Sequence, residues 1–267
     1  MSHFSVVVAL PAETEDVGSA LAALLDPFDE NKEVESYEED GETYWRNPQA
    51  KWDYWLIGGR WRGYFPIADG AAPPTVVNEA ESVDGAPELI AAEYRGHFPE
   101  FHDLPTAGYC DGGRIRALDL KRKRDEAGDK AEKDWNEYAA AIHGTPQHTP
   151  WSEFRARVEL SEQSAPKPWK QLVEEAYDRG RVAAGLASED TFDHLTRDEY
   201  VQQQRDRAVP GYATVRADGR WMAPGRMGWF GMSDDDPDSY AYYVREANKY
   251  LDSLPQDAFL VALDCHI

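Results

Sequence analysis

Three side chains near the two ends of the chain have the residue types of a reactive site: His3 at the start, and Asp264 and His266 at the finish. Imidazoles and a carboxylate are the ligands of a divalent-metal site with open positions, and such a site would hold water or a phosphate. The same three groups also suit a metal-free anion site. A second set lies further along the chain, namely Asp53, Trp55, Arg60, Arg62 and Tyr64. Guanidinium forks bind phosphate bidentately and aromatic planes stack on bases, so this set suits an anionic planar ligand such as a nucleotide. Metal and arginine together are compatible with phosphoester hydrolysis. Each set also has a plain structural reading: strand-end His and Asp facing water, and a Trp–Arg face packed beneath other chain.

Both sets depend on strands for their placement. Side chains alternate between the faces of a strand, so Ser2 to Leu10 separates Phe4, Val6, Val8 and Leu10 from His3, Ser5, Val7 and Ala9. Ala258 to His266 separates Phe259, Val261, Leu263 and Cys265 from Leu260, Ala262, Asp264 and His266. The larger apolar sets are expected to meet helices, leaving His3, Asp264 and His266 on the other face. Antiparallel pairing of the two segments brings them together.

Trp52 to Ile57 and Arg60 to Ile67 are aromatic-rich runs separated by Gly58-Gly59, the spacing of a two-residue hairpin. In that hairpin Leu56 lies opposite Trp61 and Tyr54 opposite Gly63 on a core-like face. Asp53, Trp55, Arg60, Arg62 and Tyr64 lie on the reverse, with Trp55 in cation–π reach of Arg62.

The remaining elements give a fold class. Thr14 is placed to cap a short helix carrying Val17, Leu21 and Leu24. Ala68 to Pro87 reads as an irregular loop. Lys121 to His143 and Lys167 to Ala187 read as helices, and Thr196-x-x-Glu199 as the capping box of a third. Tyr212 to Val215 and Arg220 to Met222 flank Asp218-Gly219 as a second hairpin. Gly225 to Gly231 is a loop with aromatics between glycines. Asp236 before Pro237 starts a helix whose stripe is Tyr243, Val244, Ala247, Leu251 and Leu254. Without its middle the order is β–α–ββ, then α–β, which predicts an α+β, ferredoxin-like antiparallel sheet with the first and last strands paired. The core is then 1–67 with 212–267, and 68–211 is a largely helical insertion.

Composition excludes several classes. The 267 residues carry a formal charge of −22, which opposes sequence-independent binding to long nucleic acid. Nine acids between Asp26 and Glu42 face only Lys32; the plain reading is a solvated loop, and Asp29-x-Asn31-x-Glu33 lacks the glycine and terminal glutamate of an EF-hand. Two cysteines, Cys110 and Cys265, give no disulfide framework or zinc-finger spacing and point to a reducing, cytoplasmic compartment. Cys265 reads as a small core residue. No apolar run has the length of a membrane span. His97, His102, His143, His148 and His194 show no metal-ligand spacing. Walker, dinucleotide-binding, HExxH and nucleophile-elbow motifs are absent.

Several blocks carry a family likeness: Met1-Ser-His-Phe4, Asp26-Pro-Phe-Asp-Glu-Asn31, Asn47 to Gly63 with its KWDYWLIGGRW core, Met227-Gly-Trp-Phe-Gly231 and Leu263-Asp-Cys-His-Ile267. The chain resembles, in these blocks, an uncharacterised family of phage and bacterial, especially actinobacterial, proteins. That resemblance implies a phage or mobile-element setting, with counter-defence as one class within it, and implies no mechanism. The resulting expectation is a non-enzymatic protein that binds an anionic, nucleotide-like small molecule. The alternatives are a metal-dependent phosphoesterase and an acidic inhibitor that occupies a host factor's nucleic-acid-binding site.

Overall fold

A computed structural model describes residues 2–78, 87–93, 107–142, 192, 195–227 and 232–267. The strands are β1 (His3–Leu10), β2 (Tyr37–Glu39), β3 (Glu42–Tyr44), β4 (Tyr54–Ile57), β5 (Phe65–Pro66) and β6 (Thr75–Asn78). They continue as β7 (Leu89–Glu93), β8 (Tyr109–Cys110), β9 (Gly112–Arg114), β10 (Ala213–Val215), β11 (Trp221–Met222) and β12 (Phe259–His266). The α-helices are α1 (Val17–Leu25), α2 (Leu120–Ile142), α3 (Arg197–Arg207) and α4 (Pro237–Leu251). The expected helix at 167–187, the glycine-bounded loop from Gly228 onward to Gly231 and the five mid-chain histidines lie outside the described residues.

The class is mixed α+β, built on an eight-stranded sheet of order β11-β10-β1-β12-β9-β7-β6, with β4 also paired to β12. β1 and β12 pair antiparallel over their full length, from His3↔His266 to Leu10↔Phe259, as the sequence predicts. β10 joins β1 in parallel, and β10 and β11 form the expected second hairpin.

Both central strands are buried on both faces. Phe4, Val6, Val8, Leu10, Val261 and Leu263 pack with Val17, Leu21 and Leu25 of α1. Val7, Ala9, Leu260 and Ala262 pack with Phe65, Ile115, Leu118, Val209 and Leu251 of α4. The face expected to lack helices is therefore covered by α4, and α1 and α4 lie on opposite faces rather than in the single helical layer of a ferredoxin-like sandwich. Thr214 of β10 reaches the buried Tyr243 hydroxyl of α4 at 3.0 Å, which ties the second face together. Near-continuous apolar runs such as Val6 to Leu10 have this cause, since each side of the strand meets a core.

The expected Gly58-Gly59 hairpin does not form. β4 pairs with the second half of β12, Ile57↔Leu263 to Tyr54↔His266, while β9 pairs with the first half, Gly112↔Val261 to Arg114↔Phe259. β4 and β9 thus share the edge of β12, the chain leaving it at Gly58 and returning at Asp111. Ala262 sits at the gap between them, where its carbonyl accepts from Gly58 N–H at 2.9 Å and its N–H donates to the Asp111 carbonyl at 2.8 Å. β5 pairs instead with β8.

The compact units are Met1–Arg124 with Asp206–Ile267, and Asp125–Arg205. The sheet unit therefore extends past residue 67, because β6, β7 and β9 belong to the sheet. In the second unit Trp135, Tyr138, Phe192 and Tyr200 form an aromatic cluster, with Tyr138 and Phe192 stacked at 4.6 Å. Thr196 and Glu199 form the reciprocal cap of α3. Asp16, rather than Thr14, caps α1, accepting from Ser19 N–H at 3.0 Å. Asp236 and Ser239 cap α4 with Pro237 at its first position. No helix among the described residues is long and apolar enough to cross a membrane.

The two cysteines lie in opposite core layers and are fully covered. Burial pushes the Cys110 thiol up to about 12 and the Cys265 thiol well above its ordinary value. A thiol that holds its proton longer when folded contributes stability that is complete below its unfolded pKa and is lost as pH climbs toward the folded one. The urea midpoint is expected to fall between pH 9.0 and about 12, with Cys110→Ala removing part of that slope. An Ellman titration of the native protein is expected to find neither thiol reactive until urea is added.

Candidate functional site

The alternation of β1 and β12 puts His3 directly across from His266, and Ser5 across from Asp264. All four lie on the face that deeper in the sheet carries Val7, Ala9, Leu260 and Ala262, so the polar groups occupy the strand ends where that core stops. The termini close this end further: Ser2 and Ile267 exchange both backbone hydrogen bonds at 3.1 Å.

Each imidazole has its own carboxylate. His3 Nδ1 lies 2.8 Å from Asp264 Oδ1, and His266 Nδ1 lies 2.6 Å from Asp53 Oδ1. A carboxylate accepts hydrogen bonds, so both rings place their proton on Nδ1 and leave Nε2 as the nitrogen available for chemistry. The ring centroids are 4.8 Å apart in an edge-on arrangement. Tyr54, the β4 residue opposite His266, stacks on that ring at 4.8 Å and 21°. Its hydroxyl lies 3.5 Å from His3 Nε2.

Burial raises the Tyr54 hydroxyl above its ordinary value; Asp264 adds to this, Arg60 opposes it, and Asp53 adds again. The phenol therefore stays protonated and donates to His3 Nε2, which agrees with a proton on Nδ1 of that ring. Tyr54 remains 42% exposed and Arg60 is also exposed, so one edge of the cluster meets solvent.

The gap in the sheet supplies the remaining contact. Asp264, only 2% exposed, uses its second oxygen to accept from Arg60 N–H at 3.0 Å. A buried carboxylate needs such donors to offset lost hydration. Arg60 belongs to a 3-10 turn, Gly59–Trp61, that starts where β4 leaves the sheet. Gly58 and Gly59 have φ of +69° and +52°, and a methyl group on Gly59 would overlap the Asp264 side chain. Glycine is required there because the turn's backbone lies directly against the carboxylate. Asp111, likewise buried, holds the far end of the loop by accepting from Gly63 N–H at 2.6 Å.

Of the residues singled out from sequence, His3, Asp264, His266 and Asp53 come together, with Arg60 beside them. They do so as two His–Asp pairs. Among the described residues no group of three or more His, Cys, Asp or Glu could hold a metal ion, and both Nδ1 atoms and Asp264 are committed to one another and to the backbone. Trp55 lies outside the cluster: paired across from Cys265, it packs on the α1 core. Tyr64 is also elsewhere, its hydroxyl on the Val209 carbonyl at 3.3 Å and its ring under Lys123 at 3.6 Å. Arg62 follows the 3-10 turn, half-buried, and does not lie across from Trp55, whose cross-strand neighbour is Cys265.

Two site residues escaped the sequence reading. The hairpin register predicts Tyr54 on the core face, and pairing of β4 with β12 places it across from His266 instead. Asp111 gave only the signal of an acid directly before Gly112-Gly113. Comparison with protein-family models, with curated proteins and with solved structures finds no match.

The burial difference between the carboxylates ranks their structural weight. Asp264→Ala strands His3 Nδ1–H and Arg60 N–H and is expected to cost about 2 kcal/mol or more in urea unfolding. Asp53, whose side chain is 33% exposed, can be replaced by water, so Asp53→Ala is expected to cost less. Equal losses in the two variants would contradict this ranking.

Proposed function

We propose that the chain binds an anionic small molecule carrying a phosphate and a planar ring, of the nucleotide class. The observation that carries this reading is the position of exposed Tyr54 and Arg60 beside two carboxylate-held histidines at one solvent-facing edge. Arg60 supplies a guanidinium whose charge acts on the Tyr54 hydroxyl, and it is the natural partner for a phosphate. Tyr54, its ring already braced against His266, offers a base a rigid stacking surface. One exposed guanidinium serves a small ligand even on a chain of net charge −22, which disfavours long polyanions.

The resemblance of the sequence blocks to phage and actinobacterial proteins supports a role as an accessory protein of a mobile element, acting in the cytoplasm of the bacterial host, with counter-defence as its purpose. Native mass spectrometry of untagged protein from cells, before and after denaturation, is expected to reveal a retained phosphate-bearing compound. Calorimetric titration with adenosine monophosphate and with inorganic phosphate tests the two contacts separately. Adenosine monophosphate is expected to bind about tenfold or more tightly than phosphate, a gap that Tyr54→Ala removes. Arg60→Ala is expected to weaken both. Absence of saturable binding by either probe, with no retained compound, would overturn the reading.

A further inference from the structure

Binding alone does not account for why each histidine is backed by a carboxylate. With Nδ1–H held by Asp264 or Asp53, a neutral ring presents a lone pair at Nε2, which repels a phosphate oxygen instead of donating to it. The same ring, once protonated, presents an Nε2–H donor while its carboxylate balances the charge. Such rings are suited to moving protons, and a second imidazole lies 4.8 Å away with the same arrangement.

We infer that His3 and His266 are an acid–base pair that cleaves a phosphodiester, an inference that rests on the phosphate-binding reading above. His3 is the base, because its Nε2 already accepts from the Tyr54 hydroxyl and so carries the lone pair. His266 takes the part of the acid: when Nε2 also carries a proton, the charge of the ring is balanced by Asp53, whose Oδ1 lies 2.6 Å from Nδ1. Water attacks phosphorus and gives a proton to His3 Nε2 as the new P–O bond forms. The bond to the leaving oxygen breaks, and that oxygen takes the proton from His266 Nε2. The products are a phosphomonoester and an alcohol, and solvent exchange returns the two rings to their starting states. Arg60 offsets charge on the phosphoryl oxygens. The chemistry asks for no oxidant and no protein-held metal.

The ionisable groups around the pair among the described residues are Asp264 on β12, Asp53 and Tyr54 at β4 and Arg60 on the 3-10 turn. The pH dependence of cleavage should therefore be a bell with one limb from each histidine.

The test uses full-length, untagged, EDTA-treated protein with bis(4-nitrophenyl) phosphate as substrate. The parent is expected to release 4-nitrophenolate and 4-nitrophenyl phosphate in equal amounts, with a bell-shaped kcat/KM profile. His3→Asn and His266→Asn keep an N–H for the carboxylate but lack Nε2, so they are expected to fold, which a parent-like cooperative urea transition checks. Each is expected to lose about 100-fold or more of kcat and one limb of the profile. Unchanged turnover in both asparagine variants, or turnover only after a metal is added, would overturn the inference. Adenosine monophosphate binding without any diester turnover would overturn it while leaving the binding reading intact, whereas absence of both would overturn both.

Discussion

Eight consecutive cross-strand pairs between β1 and β12, from His3↔His266 to Leu10↔Phe259, position everything else in the sheet unit. Register in a strand pair decides which side chains share a face, and a slip of one residue would move every side chain to the opposite face. Here such a slip would drive His3 and Asp264 into the apolar layer beneath α1 and move Phe4 and Leu263 to the α4 side. Cores on both faces exclude it, because neither layer has room or partners for an ion. The site is thus a consequence of the register: the polar residues sit where the α4-side core ends, and the antiparallel direction brings residues from the two chain ends within hydrogen-bond distance.

The far edge of β12 then determines what surrounds them. A single long strand there would leave no opening, but β4 and β9 divide the edge between them and the chain departs at Ala262. The departure places the Gly59–Trp61 turn against Asp264, so one buried carboxylate joins β1, β12 and the loop. Tyr54 and Asp53 arrive on the same strand end and brace His266 from its ring face and from Nδ1. Two histidines held in this way have lost rotational freedom before any ligand arrives, which is the condition for precise proton transfer or anion contact.

Much of this was legible in the residues. The alternation at Phe4 to Leu10 and Phe259 to Cys265 was enough to pair the termini and to gather His3, Asp264 and His266, since period-two patterning is a local property. Asp236-Pro237 and Asp218-Gly219 were legible for the same reason: caps and tight turns are determined by a few adjacent residues. Gly58-Gly59 was misread because two glycines between aromatic runs satisfy a hairpin locally, whereas the free edge of β12, some 200 residues distant, wins the pairing. The faces of Tyr54 and Trp55 were exchanged by that one error. The helix-free face was likewise a nonlocal matter, decided by where α4 crosses the sheet, and Leu251 carries no mark of which side it will cover.

The central claim is that His3 and His266 are held by Asp264 and Asp53 through Nδ1, leaving Nε2 unprotonated on each neutral ring. Long-range proton–nitrogen correlation spectra of uniformly labelled protein read the tautomer directly, with His3→Asn and His266→Asn spectra giving the assignments. The structure predicts that both neutral rings are protonated on Nδ1 with bare Nε2, and that Asp264→Asn disturbs the His3 pattern while leaving His266 in place. Rings protonated on Nε2, or averaging between tautomers as in a solvated side chain, would contradict the account.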